Sequence, residues 1–243
     1  MSDFSRHLVF IHIPKTAGTF IREGLEQHYE KIGCAYGTKP FANFSTMDAD
    51  QLAAFKTHEV LIGHESFHAF QTHLDRPATY FTVLRNPVDR LISYYNHLMT
   101  HAPNFANHKV TLLKFLENRS NYEIDNVQLR YLSGKPVKHP VGQAELDHAK
   151  SLIDNGVLHA GIKERLAETL ERLPIFQGVK FDVSAPSNKS VFGFSRNSLT
   201  QTELDAIRAR CFWDIKLYQH ALSAFEQKGW TSAAVTQTVV HEQ

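Results

Sequence analysis

Leu8-Val9-Phe10-Ile11-His12-Ile13, then Pro14-Lys15-Thr16-Ala17-Gly18-Thr19-Phe20 and Ile21-Arg22-Glu23-Gly24-Leu25, is the stretch from which the rest of the chain is read. An apolar, β-branched run breaks at a proline, passes a Lys-Thr-x-Gly-Thr turn and enters residues with helical spacing. That pattern predicts a strand, a phosphate-type loop and a helix. Such a loop aims successive backbone N–H groups and the positive end of a helix dipole at one point, to which Lys15 adds a mobile charge and Thr16 and Thr19 add hydroxyl donors. The point attracts an anion. The Walker A pattern places a glycine five residues before a Gly-Lys-Ser/Thr triplet, whereas here the lysine precedes the glycine. The order turns the reading away from nucleoside-triphosphate chemistry.

The chain has 243 residues, 42% of them hydrophobic, enough for a full core. We expect one α/β domain over residues 1–230 and a frayed tail over 231–243. A formal net charge of +1 argues against nucleic-acid binding through bulk charge, so any anion site has to be local. Cys34 and Cys211 lie far apart and form no CxxC pair, which predicts two reduced, buried thiols. No run approaches the eighteen apolar residues of a membrane span, and no cleavable leader is visible. The expected location is the cytoplasm, without stable membrane insertion; the oligomeric state is left open.

Further strands are expected at 58–62, 79–84 and 157–162 beside the first at 8–13, alternating with helices. The fold class is therefore α/β, a P-loop-like three-layer domain whose central, mostly parallel sheet is flanked by helices on both faces. Residues 33–46 are rich in Gly, Pro, Asn and Ser and read as an irregular connection bordering a pocket, as do the insertion 98–110 and the region 185–196. Helices are expected over 48–56 with Asp48 at the cap, 111–119, 125–134 ending at Gly134, 143–155, 166–173 and 202–225. His64 falls at the carboxyl end of the second strand, where ligands lie in open parallel sheets, whereas His58 stands at the opposite end. Arg85 closes the next strand, Pro87 opens a helix, and Ser93 rides that helix two turns on. An arginine fork and a hydroxyl so placed suit a phosphate; the plainer alternative is an Arg85–Asp89 surface ion pair.

Three stretches, Pro14-Lys15-Thr16-Ala17-Gly18-Thr19, Gly63-His64 and Leu84-Arg85-Asn86-Pro87-x-x-Arg90-x-x-Ser93-Tyr94, together resemble the sulfotransferases that use 3′-phosphoadenosine 5′-phosphosulfate (PAPS). The branch most resembled is that of heparan sulfate 2-O-sulfotransferase and its bacterial relatives, which Asn126 to Gly134 and Gly161-Ile162-Lys163-Glu164-Arg165 also fit. The resemblance implies that Lys15, Thr16, Ala17, Gly18, Thr19 and Phe20 hold the 5′-phosphosulfate and that Arg85 and Ser93 hold the 3′-phosphate. It implies PAPS as donor, the bisphosphate PAP as product, no metal, and a hydroxyl of a glycan or other small molecule as acceptor. Lys15 and His64 are then the catalytic candidates, with Glu65 and His68 behind His64. The heparan sulfate enzyme carries a His-Gly-His turn; this chain has Ile62-Gly63-His64, keeping the second histidine alone.

Two other chemistries compete. His64-Glu65-Ser66-Phe67-His68 matches the H-E-x-x-H pattern of zinc peptidases, which requires the whole pentapeptide on one helix. The strand-like Val60-Leu61-Ile62-Gly63 directly before it argues against that context. A small-molecule kinase or other phosphoryl transferase would also use an anion loop and a phosphate-binding arginine.

Overall fold

A computed structural model describes residues 5–29, 32–35, 43–102, 105, 110–181 and 193–227. The tail 231–243 and parts of the three expected pocket walls lie outside these described residues. Five strands, β1 (His7–Ile11), β2 (Ile32–Ala35), β3 (Val60–Gly63), β4 (Ala78–Leu84) and β5 (Leu158–Ile162), form one sheet in the order β2-β3-β1-β4-β5. Every pairing is parallel.

Parallel strands need covered faces, and alternate side chains sort into two core layers accordingly. Val9, Ile11, Leu61, Tyr80, Leu84, Leu158 and Ile162 enter one layer. Helices α3 (Phe67–His73), α6 (Val127–Leu132), α7 (Gln143–Asp154) and α10 (Phe212–Gln227) contribute Phe67, Leu129, Leu146, Leu217 and Phe225 to it. Phe10, Val60, Ile62, Phe81 and Val83 enter the other layer, where α1 (Gly18–His28) supplies Ile21 and Leu25. The architecture is thus three layers with the sheet in the middle. A third cluster packs α4 (Pro87–His101) against α5 (Leu112–Glu117) and α9 (Gln201–Arg210) through Leu91, Tyr95, Phe115 and Ile207.

The ends of α2 (Ala49–Phe55), α5 and α8 (Leu166–Arg172) fall within a few residues of expectation, and for α2 and α5 the caps are local. The Asp48 side chain accepts from Gln51 N–H and the Thr111 hydroxyl from Lys114 N–H. Gly134, at φ 68°, follows the end of α6.

Two elements differ from the sequence reading. Residues 33–35 open the segment expected to be irregular, yet with Ile32 they form edge strand β2 on β3. Ile32-Gly33-Cys34-Ala35 has no alternation to announce a strand, and β3 supplies its hydrogen bonds. The long helix expected over 202–225 is two helices broken at Cys211 (φ −108°, ψ 19°). The Asn126 side chain, far away in sequence, accepts from Trp213 and Asp214 N–H at 2.7 and 3.1 Å, starting a new helix there. Among the described residues no helix is long and apolar enough to cross a membrane.

Candidate active site

The strand order makes neighbours of residues distant in sequence. β3, β1 and β4 lie side by side, so the segments leaving their carboxyl ends, Gly63-His64, the Lys15 loop and Arg85-Asn86, emerge along one edge. This is the crevice position of open parallel sheets.

Within the loop, Lys15 and Ala17 adopt left-handed conformations (φ 71° and 78°), two of the three such non-glycine residues among those described. Each costs about 1–2 kcal/mol for a residue with a Cβ. Strain of this kind persists where the surroundings enforce it, and left-handed residues in a turn bring successive N–H groups to one concave side, forming an anion nest. Thr16 is buried and donates its hydroxyl proton to Ile13 O at 2.8 Å, which closes the turn. Gly18 begins α1, Thr19 is exposed on its first turn, and Phe20 stacks on Phe181 with ring centroids 5.3 Å apart.

His64 is held from two sides. Its N–H donates to Ala35 O at 3.1 Å and its Nδ1 lies 2.9 Å from His12 O. A carbonyl only accepts, so Nδ1 carries the proton and Nε2 of the neutral ring carries the lone pair. The His12 ring stacks on His64 at 4.1 Å between centroids and fills the space over Gly18, where a Cβ would meet His12 Nε2 at 1.6 Å. Burial, and then the charge of Arg22, lowers the His64 pKa against the opposing pull of the His12 carbonyl. Burial, followed by the nearby His64, pushes that of His12 well below its ordinary value. The sequence reading passed over His12 as a strand residue; a lone histidine carries no signal of the ring it will stack on.

Arg85 Nη1 donates to Lys15 O at 3.1 Å, tying the two cationic segments together. The Lys15 ammonium has no carboxylate partner among the described residues, and its pKa is lowered by burial first and then by Arg85 and Arg90. The Arg85 pKa is itself lowered by burial against the opposing charges of Asp89 and Glu164, so Lys15 is the cation most in need of an anionic partner. The alternative Arg85–Asp89 ion pair is not formed: the Asp89 carboxylate pairs with Arg196 at 3.2 Å. Ser93 is half-buried on α4, one turn before His97. The His97 pKa is lowered by burial and then by the charge of Lys15.

The H-E-x-x-H match fails on geometry. His64 and Glu65 lie in the turn after β3, the Ser66 hydroxyl accepts from Ala69 N–H as the cap of α3, and His68 belongs to α3. Glu65 Oε1 accepts from Phe44 N–H at 2.9 Å, and burial first of all raises its pKa. His58 lies before β3 at the far edge of the sheet, its Nδ1 near the Ala54 and Phe55 carbonyls.

Residues 1–139 match the model of the Sulfotransferase family. A crystal structure of mouse sulfotransferase SULT7A1 complexed with PAP aligns over 94% of this chain and 91% of that chain, with 11% sequence identity and a TM-score of 0.46. No curated protein matches the sequence.

Proposed function

This chain belongs to the sulfotransferase family, whose model spans residues 1–139 of its 243, and from that premise we propose that it moves the sulfuryl group of PAPS to a hydroxyl. The acceptor we favour is a carbohydrate or another small hydroxylated molecule, in keeping with the resemblance to the heparan sulfate 2-O-sulfotransferase branch. The observation that carries the reading is the Arg85 Nη1 to Lys15 O hydrogen bond, which joins two anion-binding segments 70 residues apart at one sheet edge. We read residues 1–230 as one domain, and the enzyme as cytoplasmic, consistent with two buried free cysteines.

PAPS supplies the sulfuryl group and leaves as PAP; the rest falls to this chain's own residues. The Lys15-to-Phe20 backbone would hold the 5′-phosphosulfate, and Arg85 with Ser93 the 3′-phosphate. Lys15 would neutralise the charge that develops as the bisphosphate departs. His64 Nε2, the unprotonated nitrogen, would take the acceptor's proton. By analogy with phosphoryl transfer, positioning and electrostatics supply most of the rate.

Two measurements test this. Labelled PAPS, offered with hydroxylated glycans, lipids and phenols, should yield a labelled product; turnover of a nucleoside triphosphate in place of PAPS would favour the phosphoryl-transferase alternative. Arg85→Ala should weaken PAP binding by about 1.5–3 kcal/mol, the loss of a charged hydrogen-bonded contact, whereas an exposed ion pair would cost under about 1 kcal/mol. Equal affinities by calorimetry would refute the Arg85 assignment.

A further inference from the structure

Arg85 stands beyond the last paired residue of β4 on both sides. Pairing with β1 ends at Ile11↔Thr82 and pairing with β5 at Leu84↔Ile162. Its backbone N–H and C=O therefore lack a strand to bond to, and a buried backbone group needs a partner. Gln128 supplies both. Its Oε1 accepts from Arg85 N–H at 2.9 Å and its Nε2 donates to Arg85 O at 2.9 Å, so one side-chain amide does the work of a neighbouring strand. Gln128 is itself 1% exposed.

The next residue is pinned in the same manner. Asn86 N–H donates to Glu164 Oε1 at 2.8 Å, while Glu164 Oε2 accepts from the Tyr218 hydroxyl at 2.9 Å. Gln128 is anchored in turn, because the buried Asp214 carboxylate accepts from Gln128 and Leu129 N–H at 3.2 and 2.7 Å at the start of α6. A continuous set of hydrogen bonds thus runs from Asp214 through α6 and Gln128 to Arg85 and on to Lys15 O. The two stretches around residues 126–134 and 161–165, without a role in the chemistry so far, converge on Arg85-Asn86.

We infer that Gln128 is a positioning residue for nucleotide binding: it acts through Arg85, fixing the backbone from which the guanidinium reaches the 3′-phosphate. This rests on the proposed nucleotide role of Arg85. A planar fork binds a phosphate through two parallel bonds, so its strength depends on how its backbone is aimed.

A double-mutant cycle read by PAP calorimetry tests the inference, using wild type, Gln128→Leu, Arg85→Ala and the double variant. Gln128→Leu, with its fold checked by circular dichroism, should weaken PAP about tenfold in the wild-type background and change it less than about twofold when Arg85 is alanine, since coupled neighbours are non-additive. The same fold-loss in both backgrounds, as general destabilisation would give, overturns the inference, as does unchanged affinity in the single variant. Should Gln128→Leu not fold, Gln128→Glu keeps the volume and the acceptor but sets an oxygen against Arg85 O; it is expected to weaken PAP in the Arg85 background alone, and no loss there overturns the inference. Failure of the underlying reading is separable: Arg85→Ala by itself would then leave PAP affinity unchanged.

Discussion

His64 presents a tautomer suited to accepting a proton, because its Nδ1 lies 2.9 Å from a carbonyl oxygen, which can only accept. Its lowered pKa keeps the ring neutral at pH 7, where a base has to be neutral to act. The sign follows directly. Activity should be flat above the ordinary histidine value of about 6.5 and fall only below it, as the ring protonates. A kcat/KM profile whose acid limb lay above pH 7 would contradict this. His64→Ala should lower kcat by about 10²–10⁴-fold, the usual worth of a general base, with PAP affinity kept. Near-normal turnover in that variant would move the base elsewhere, with Glu65 and His68 next in line.

At the scale of elements, the turn between β1 and α1 makes opposite demands on adjacent residues. Ala17 holds a left-handed conformation that glycine adopts freely, so Ala17→Gly should stabilise the protein by up to about 1 kcal/mol. Gly18 is helical but lies under the His12 ring, and a Cβ there has no space. Because His12 is 6% exposed and stacked on His64, it cannot swing away cheaply. Gly18→Ala should therefore cost about 1–3 kcal/mol, the range for overpacking, and displace the His64 ring as well. Urea unfolding of the two variants checks both signs; a stable, fully active Gly18→Ala would mean that the stacked pair is not held as described.

For the whole molecule, pH couples these sites to stability. His7, His12 and His64 are enclosed in the fold, and burial lowers the pKa of each. Below about 6.5 the unfolded chain takes up protons that the folded chain refuses, so stability falls with falling pH, by up to about 1.4 kcal/mol per pH unit for each proton. Asp214 works the other way. Burial raises its pKa to about 6, so between that value and 3.8 the folded chain keeps a proton the unfolded one releases. Glu65 and Glu123, also raised by burial, add to the offset at lower pH. Denaturant midpoints should drop from pH 7 to 6 and keep falling below, less steeply than the three histidines alone would give; stability unchanged or rising from pH 7 to 6 would refute the assignment of neutral buried histidines.

The sequence by itself determined the elements whose signals are local. A β-branched run ending at Pro14 makes β1 and its loop, Asp48 and Thr111 cap their own helices, and Arg85 and His64 fall at strand ends because the apolar runs stop there. From these the α/β class, four of the five strands and the Lys15 loop were legible. The tertiary structure decided whatever depends on a distant partner. Edge strand β2 exists because β3 offers it hydrogen bonds; the helix expected over 202–225 breaks where Asn126 caps a second one; and His12 and Gln128 gain their roles from what the strand order sets beside them. Local pattern records what a residue prefers within a turn or two of chain. Which ring or amide meets a strand end is fixed by how the sheet is ordered and covered, and no short window of sequence contains that information.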